Sequence, residues 1–187
     1  MGSESNEHLT RSVAEASDLA PIRAIAAPLL GQMCWMVDFG YPSVLNLHWG
    51  RAVRFATPLG EREQGEWILH AFGSEWTITC AGGTQVRSTD PDDEARARAT
   101  ILEGASTARF DVLFPDLELQ VGFDNGCVLR LSPERDDLEA RQGEREGLGE
   151  DMTDMEVEDW ALFCPDDMYL RFGPGPKWWY GPRLRAP

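Results

Sequence analysis

The sequence predicts an α+β fold in which β structure dominates, arranged as two tandem pseudo-symmetric helix-plus-β-meander repeats sharing one core. Three observations carry this. Apolar and polar residues alternate in many short runs rich in aromatics, with seven Trp and eight Phe in 187 residues. A helix-start signal occurs twice, near Asp18 and near Asp90. Strand-like runs then follow each helix in the same order.

The first helix is expected from Asp18 as cap, with Pro21 in the first turn, through IRAIAAPLLG to Gly31; Pro28 should shorten it. Strands are expected at Val37–Phe39 and Leu45–Trp49, a turn at Gly50-Arg51, and a return strand at Ala52–Phe55. The second helix should be capped by Asp90, begin at Pro91, carry Asp92, Asp93 and Glu94 in its first turn and end at Gly104. Strands at Val112–Phe114 and Leu119–Phe123 follow, then an Asp124-Asn125-Gly126 hairpin and a return strand at Cys127–Leu131. Each copy then presents a Trp hairpin, residues 66–83 around Trp67 and residues 159–175 around Trp160. One copy alone would bury too little apolar surface to be stable, so the two should pack together. The organisation is a flexible N-terminal tail at 1–17, a first repeat at 18–85, a second at 86–180 and a C-terminal tail at 181–187.

The copies differ in an insert at 133–159, where twelve acids face three arginines. That is −9 of the chain's formal −15, set by 32 acidic and 17 basic residues. Such a balance argues against nucleic acid or an anionic membrane as partner and for a cationic protein. Low apolar content makes the insert a solvated loop or an interaction element. Glu150–Asp159 mixes acids with Met152, Met155 and Val157, as a docking segment would. The expected partner-binding set is Glu150, Asp151, Asp154, Glu156, Glu158 and Asp159, with Asp166, Asp167, Trp178 and Trp179. The Trp178-Trp179 pair also fits a terminal strand closing the core.

Catalytic motifs are missing. No phosphate-binding glycine loop and no nucleophile elbow stands in a strand–helix context. His8 lies in the N-terminal tail, while His48 and His70 sit on strands and should share one sheet face. Together with a carboxylate or Cys80 they would make a zinc site, but ligand spacing is lacking. No catalytic residue, metal or cofactor is expected. Cys34, Cys80, Cys127 and Cys164 are widely spaced in apolar runs and read as buried thiols in a reducing cytoplasm. No apolar signal core or long apolar run occurs, which predicts a soluble cytoplasmic protein.

Residues 102–131 and 159–179, with an echo across 29–83, resemble small bacterial domains of unknown function that are regarded as immunity-protein-like. The shared features are the helix ending, the Asp-Asn-Gly hairpin, Trp-x-Leu, the Pro-Asp turn and the Gly-Pro-Gly ending. The resemblance implies a non-enzymatic protein that neutralises a cationic toxin, such as a nuclease, and it brings no catalytic residues. The long acidic insert departs from the pattern. Two alternatives stand beside it: a small-molecule or zinc-binding domain or enzyme with a cleft between the repeats, and a structural subunit of a bacterial assembly.

Overall fold

Among the described residues the alternating runs form twelve strands, which segregate into two antiparallel sheets. A computed structural model describes residues 9–40, 44–57, 60–72, 74–133 and 158–183. The strands are β1 (Leu9–Ser12), β2 (Cys34–Gly40), β3 (Val44–Thr57), β4 (Gly60–Ala71), β5 (Ser74–Cys80) and β6 (Gln85–Arg87), followed by β7 (Thr107–Leu113), β8 (Glu118–Phe123), β9 (Cys127–Pro133), β10 (Trp160–Phe163), β11 (Met168–Phe172) and β12 (Lys177–Pro182). The helices are α1 (Ala20–Ala26) and α2 (Asp92–Ala99). The larger sheet runs β1-β12-β11-β10-β4-β3-β2, and the smaller runs β6-β5-β9-β8-β7.

The order within the sheets does not keep each expected repeat in a sheet of its own. Meander β2-β3-β4 continues into the larger sheet, but the chain then crosses and adds β5 and β6 to the smaller one. Meander β7-β8-β9 builds the smaller sheet, and the chain crosses back to add β10, β11 and β12 to the larger. Residues 66–83 are therefore no hairpin, because β4 and β5 lie in different sheets. The crossings put an aromatic pair between sheets at each site: Phe39 on β2 meets Trp76 on β5, and Phe110 on β7 meets Trp160 on β10.

The two meanders touch through an isolated antiparallel bridge between Met33 and Ser106. Hydrogen bonds around it are reciprocal. Cys34 N–H donates to Ala105 O and Thr107 N–H to Gln32 O, both at 2.9 Å; Gly31 N–H donates to Thr107 O and Gly104 N–H to Cys34 O, both at 2.8 Å. β2 and β7 each carry a register shift at their start, at Cys34/Met36 and Thr107/Arg109.

Gly50-Arg51 is not a turn. Trp49 pairs with Trp67 and Ala52 with Gly65, so two residues oppose Glu66 alone. Gly50 has φ +74. This is a β-bulge with glycine in the left-handed position, and strand β3 runs on through it. The Asp124-Asn125-Gly126 turn does link β8 to β9, as the sequence implies.

Helix α1 is led by a 3-10 turn at Ala16–Leu19, where Glu15 and Asp18 form a reciprocal capping box. Helix α2 begins at Asp92 with Pro91 as the cap residue, and three acids complement its first turn. Leu19, Ile22, Ala26 and Leu29 are buried on the first helical segment, and Ala95, Ala99 and Leu102 on the second. They close one core with Leu47, Leu69, Leu162 and Leu170 of the larger sheet and Ile78, Val121, Leu129 and Leu131 of the smaller.

Parts of both expected tails are strand. Leu9–Ser12 pairs with β12, and Gly181 and Pro182 belong to β12. The cysteines divide: Cys80 and Cys127, directly opposite on β5 and β9, form a disulfide, which corrects the reading of four free thiols. Cys34 and Cys164 remain free and buried, and burial pushes both thiols up to about 12. Among the described residues no helix is long and apolar enough to cross a membrane.

Candidate functional site

Strand alternation gives the larger sheet a second face, opposite the core. Leu47, Leu69, Leu162, Leu170 and Trp178 point inward and are essentially fully buried. The residues between them, His48, His70, Phe163, Tyr169 and Trp179, line the outer face.

There the aromatic rings form a continuous band. His70 stacks on Phe72, with centroids 5.1 Å apart, and meets Phe163 edge-on at 6.0 Å. Phe163 touches Tyr169 at 5.0 Å, and Tyr169 meets Trp179 at 6.0 Å. Two guanidiniums lie on the band, Arg183 over Phe163 at 4.8 Å and Arg171 over Trp179 at 5.3 Å. Phe72 is about half exposed, and His70, Phe163, Tyr169 and Trp179 are each part-exposed. The Tyr169 hydroxyl donates to Glu158. Burial and that carboxylate push the phenol well above its ordinary value.

One end of the band is polar. Asp38 on β2 accepts from Asn46 Nδ2 at 2.6 Å and lies 3.5 Å from His48 Nε2. Burial raises the Asp38 carboxyl, but the neighbouring His48 ring, the Asn46 hydrogen bond and nearby His70 outweigh it and hold it below the usual carboxylate range. His48 is buried, and its Nδ1 accepts Gly65 N–H at 3.0 Å. In the neutral ring Nε2 must then carry the proton, so it offers no lone pair to a metal. His48 and His70 do share a face: His48 pairs with Ile68 and Asn46 with His70, which makes the histidines diagonal neighbours. Among the described residues no three His, Cys, Asp or Glu side chains are grouped to hold a metal. Burial lowers the His70 pKa, with Arg183 and His48 pushing the same way against Glu158 and Asp38.

Beside Phe163 the outer face opens into a cleft of about 290 Å³. Val53, Ile68, Phe163 and Met168 supply apolar wall, and Arg51, Glu66, Asp166, Asp167 and Arg183 supply charge. Sequence features shape this cleft directly. The Gly50 bulge places Arg51 opposite Glu66, 3.7 Å apart. Asp166 (φ +61) and Asp167 (φ +57) are two consecutive left-handed residues in the β10–β11 turn.

The predicted partner-binding residues separate here. Glu158, Asp166, Asp167 and Trp179 lie on or beside the outer face. Trp178 does not: it points into the core, 1% exposed, and its indole N–H donates to Asp18 O at 3.2 Å. Asp159 is likewise buried, against Gly173. Strand β12 carries Trp178 and Trp179 in succession, so alternation sends one to each face. Glu150, Asp151, Asp154 and Glu156 lie outside the described residues, as does His8. Sequence reasoning missed Phe72, Phe163, Tyr169, Arg171 and Arg183. The available signal was the period-two placement of Phe163, Tyr169, Arg171 and Trp179 between core positions.

The smaller sheet's outer face is different. Arg109 donates to Gln120 and Gln120 to Glu118, both at 2.7 Å, and Arg23 bonds Asp111 at 2.8 Å. Those polar groups satisfy one another, as scaffold would.

No protein family, curated protein or solved structure matches the chain.

Proposed function

We propose that this chain is a non-enzymatic, acidic protein-binding protein whose contact face is the outer face of the larger sheet. Its most concrete form is a bacterial immunity protein that neutralises a cationic toxin. The observation that carries the reading is the part-exposed ring band Phe72–His70–Phe163–Tyr169–Trp179, with Asp38, Glu158, Asp166 and Asp167 along its margins. Aromatic anchors inside a charged rim are the composition of binding hot spots. A formal charge of −15 would speed encounter with a cationic partner. The resemblance to immunity-like domains points the same way.

The scaffold beneath this face is, on the same reading, a duplication whose halves exchanged their last strands. Trp76 and Trp160 then hold equivalent places, as do Cys80 and Cys164, and Gly31 and Gly104. The reciprocal hydrogen bonds around the Met33–Ser106 bridge support that pairing.

The test is capture of a cationic protein from the native host, followed by calorimetric titration at low and high salt. Affinity should fall with salt, and W179A should weaken it by about tenfold or more. Charge reversal at Glu150, Asp151, Asp154, Glu156 and Glu158 should flatten the salt dependence. Affinity unchanged in W179A and indifferent to salt would refute the proposal.

A further inference from the structure

We infer that the cleft beside Phe163 is a recognition pocket for one guanidinium group, the side chain of a partner's arginine, and that the chain's own Arg183 occupies part of it. The inference rests on the protein-binding reading and specifies what the partner inserts.

The chain itself supplies a stand-in for the ligand. Arg183 follows β12, and its backbone N–H donates to Asp167 O at 2.7 Å. That bond brings the residue to the cleft mouth, where its guanidinium carbon sits over the Phe163 ring, 4.8 Å from the centroid. A phenyl face within about 6 Å of a guanidinium is an attractive cation–π arrangement.

Charge argues in the same direction. Three carboxylates line the cleft, Glu66, Asp166 and Asp167, against the guanidiniums of Arg51 and Arg183. Arg51 already faces Glu66 at 3.7 Å. With Arg183 displaced, a second guanidinium would find both the Phe163 face and the Asp166 carboxylate. A compact ammonium would gain less, because it lacks the planar surface that stacks on Phe163.

The turn geometry adds an independent indication. Asp166 and Asp167 both adopt positive φ, in a two-residue turn where Asn-Gly is the easy choice. Asparagine-glycine would close that hairpin with less strain. Two aspartates there keep two carboxylates at the cleft mouth at the expense of local stability, a pattern that clusters at ligand sites.

The test is titration of the isotope-labelled protein with N-acetyl-arginine methylamide and its lysine counterpart, read by amide NMR shifts. The arginine probe should shift Phe163, Asp166, Asp167 and Met168 saturably and bind about threefold more tightly than the lysine probe. R183A should tighten arginine binding by about threefold, since the internal competitor is gone. F163L should abolish the difference between the probes. Equal response to both probes in R183A, or shifts confined to sites away from the cleft, would overturn the inference. The broader reading fails separately. Partner affinity lost in W179A but unchanged in F163L and in D166N/D167N would overturn the cleft and leave protein binding standing. The expected arginine titration, with no cationic partner responding to W179A, would support the cleft and refute that reading.

Discussion

The Nδ1 atom of His48 accepts the backbone N–H of Gly65 at 3.0 Å, across the bulge that Gly50 creates in β3. The close backbone approach at this point leaves no room for a side chain on Gly65. A Cβ there would lie 2.6 Å from Trp49 O and 2.7 Å from Trp67 O. Both neighbours are backbone and cannot rotate away. G65A should therefore destabilise the fold by about 1–3 kcal/mol in urea unfolding. H48A leaves a buried N–H unpaired and should cost a similar 1–3 kcal/mol or so. H48N, whose side-chain oxygen replaces the acceptor, should recover much of that loss. If H48A and H48N unfold alike, the hydrogen bond is not what holds the bulge.

Gly173 and Gly175 give a matched comparison. Both have positive φ, +83 and +76. A Cβ on Gly175 meets nothing within 4 Å, whereas one on Gly173 would lie 2.2 Å from Asp159 Oδ2. G175A should cost only the left-handed backbone penalty, about 1 kcal/mol. G173A adds overlap with a buried carboxylate and should cost about 1–3 kcal/mol more. Equal melting temperatures for the two variants would refute the packing of Asp159 against Gly173.

The β10–β11 turn makes a prediction with opposite signs. D166N/D167G removes two left-handed aspartates and should stabilise the fold by about 1 kcal/mol in thermal unfolding. It also removes two carboxylates from the cleft and should weaken binding of a cationic partner. A gain in stability with no loss of affinity would place the turn outside the contact surface.

The cysteines can be counted by mass. Cys34 and Cys164 are buried thiols pushed up to about 12, so they should resist alkylation in the native protein. Unfolding without reductant should expose those two alone, and reduction should add the Cys80–Cys127 pair. The C80S/C127S variant should be less stable by about 2–4 kcal/mol. Four modified cysteines in unreduced, unfolded protein would rule the bond out.

Stability should fall as pH drops from 7 toward 5. The pKa of His70 is lowered in the fold, by burial first. The unfolded chain therefore binds more protons through that window, and the contribution present above about pH 6.5 is lost on acidification. Asp38 acts at lower pH: its depressed pKa keeps a contribution present above about pH 4, which is lost as pH falls through the folded value. H70F should flatten the upper part of the denaturation profile and D38N the lower. A slope near pH 6 that survives in H70F would assign it to another group.

The sequence by itself determined the β-dominant class, both helices, the Asp124-Asn125-Gly126 hairpin and the alternation in most strands, because these depend on residues a few positions apart. Acids and prolines near helix starts and period-two patterns act locally and are legible along the chain, although the cap residues are Leu19 and Pro91 and not the expected Asp18 and Asp90. Tertiary structure alone decided how the pieces combine. Gly50-Arg51 has the composition of a turn, yet Trp49 and Ala52 pair with Trp67 and Gly65, so it is a bulge. β5 leaves its own meander for the other sheet, where Trp76 and Ile78 are buried. Cys80 and Cys127, 47 positions apart, meet only because β5 pairs with β9. Glu158, Asp166, Asp167 and Trp179 could be named from sequence as charged or aromatic candidates. That they share a face with Phe163 and Arg183, and that Trp178 does not, depended on strand register. Register is fixed by burial across the whole sheet, and no local run of residues encodes it.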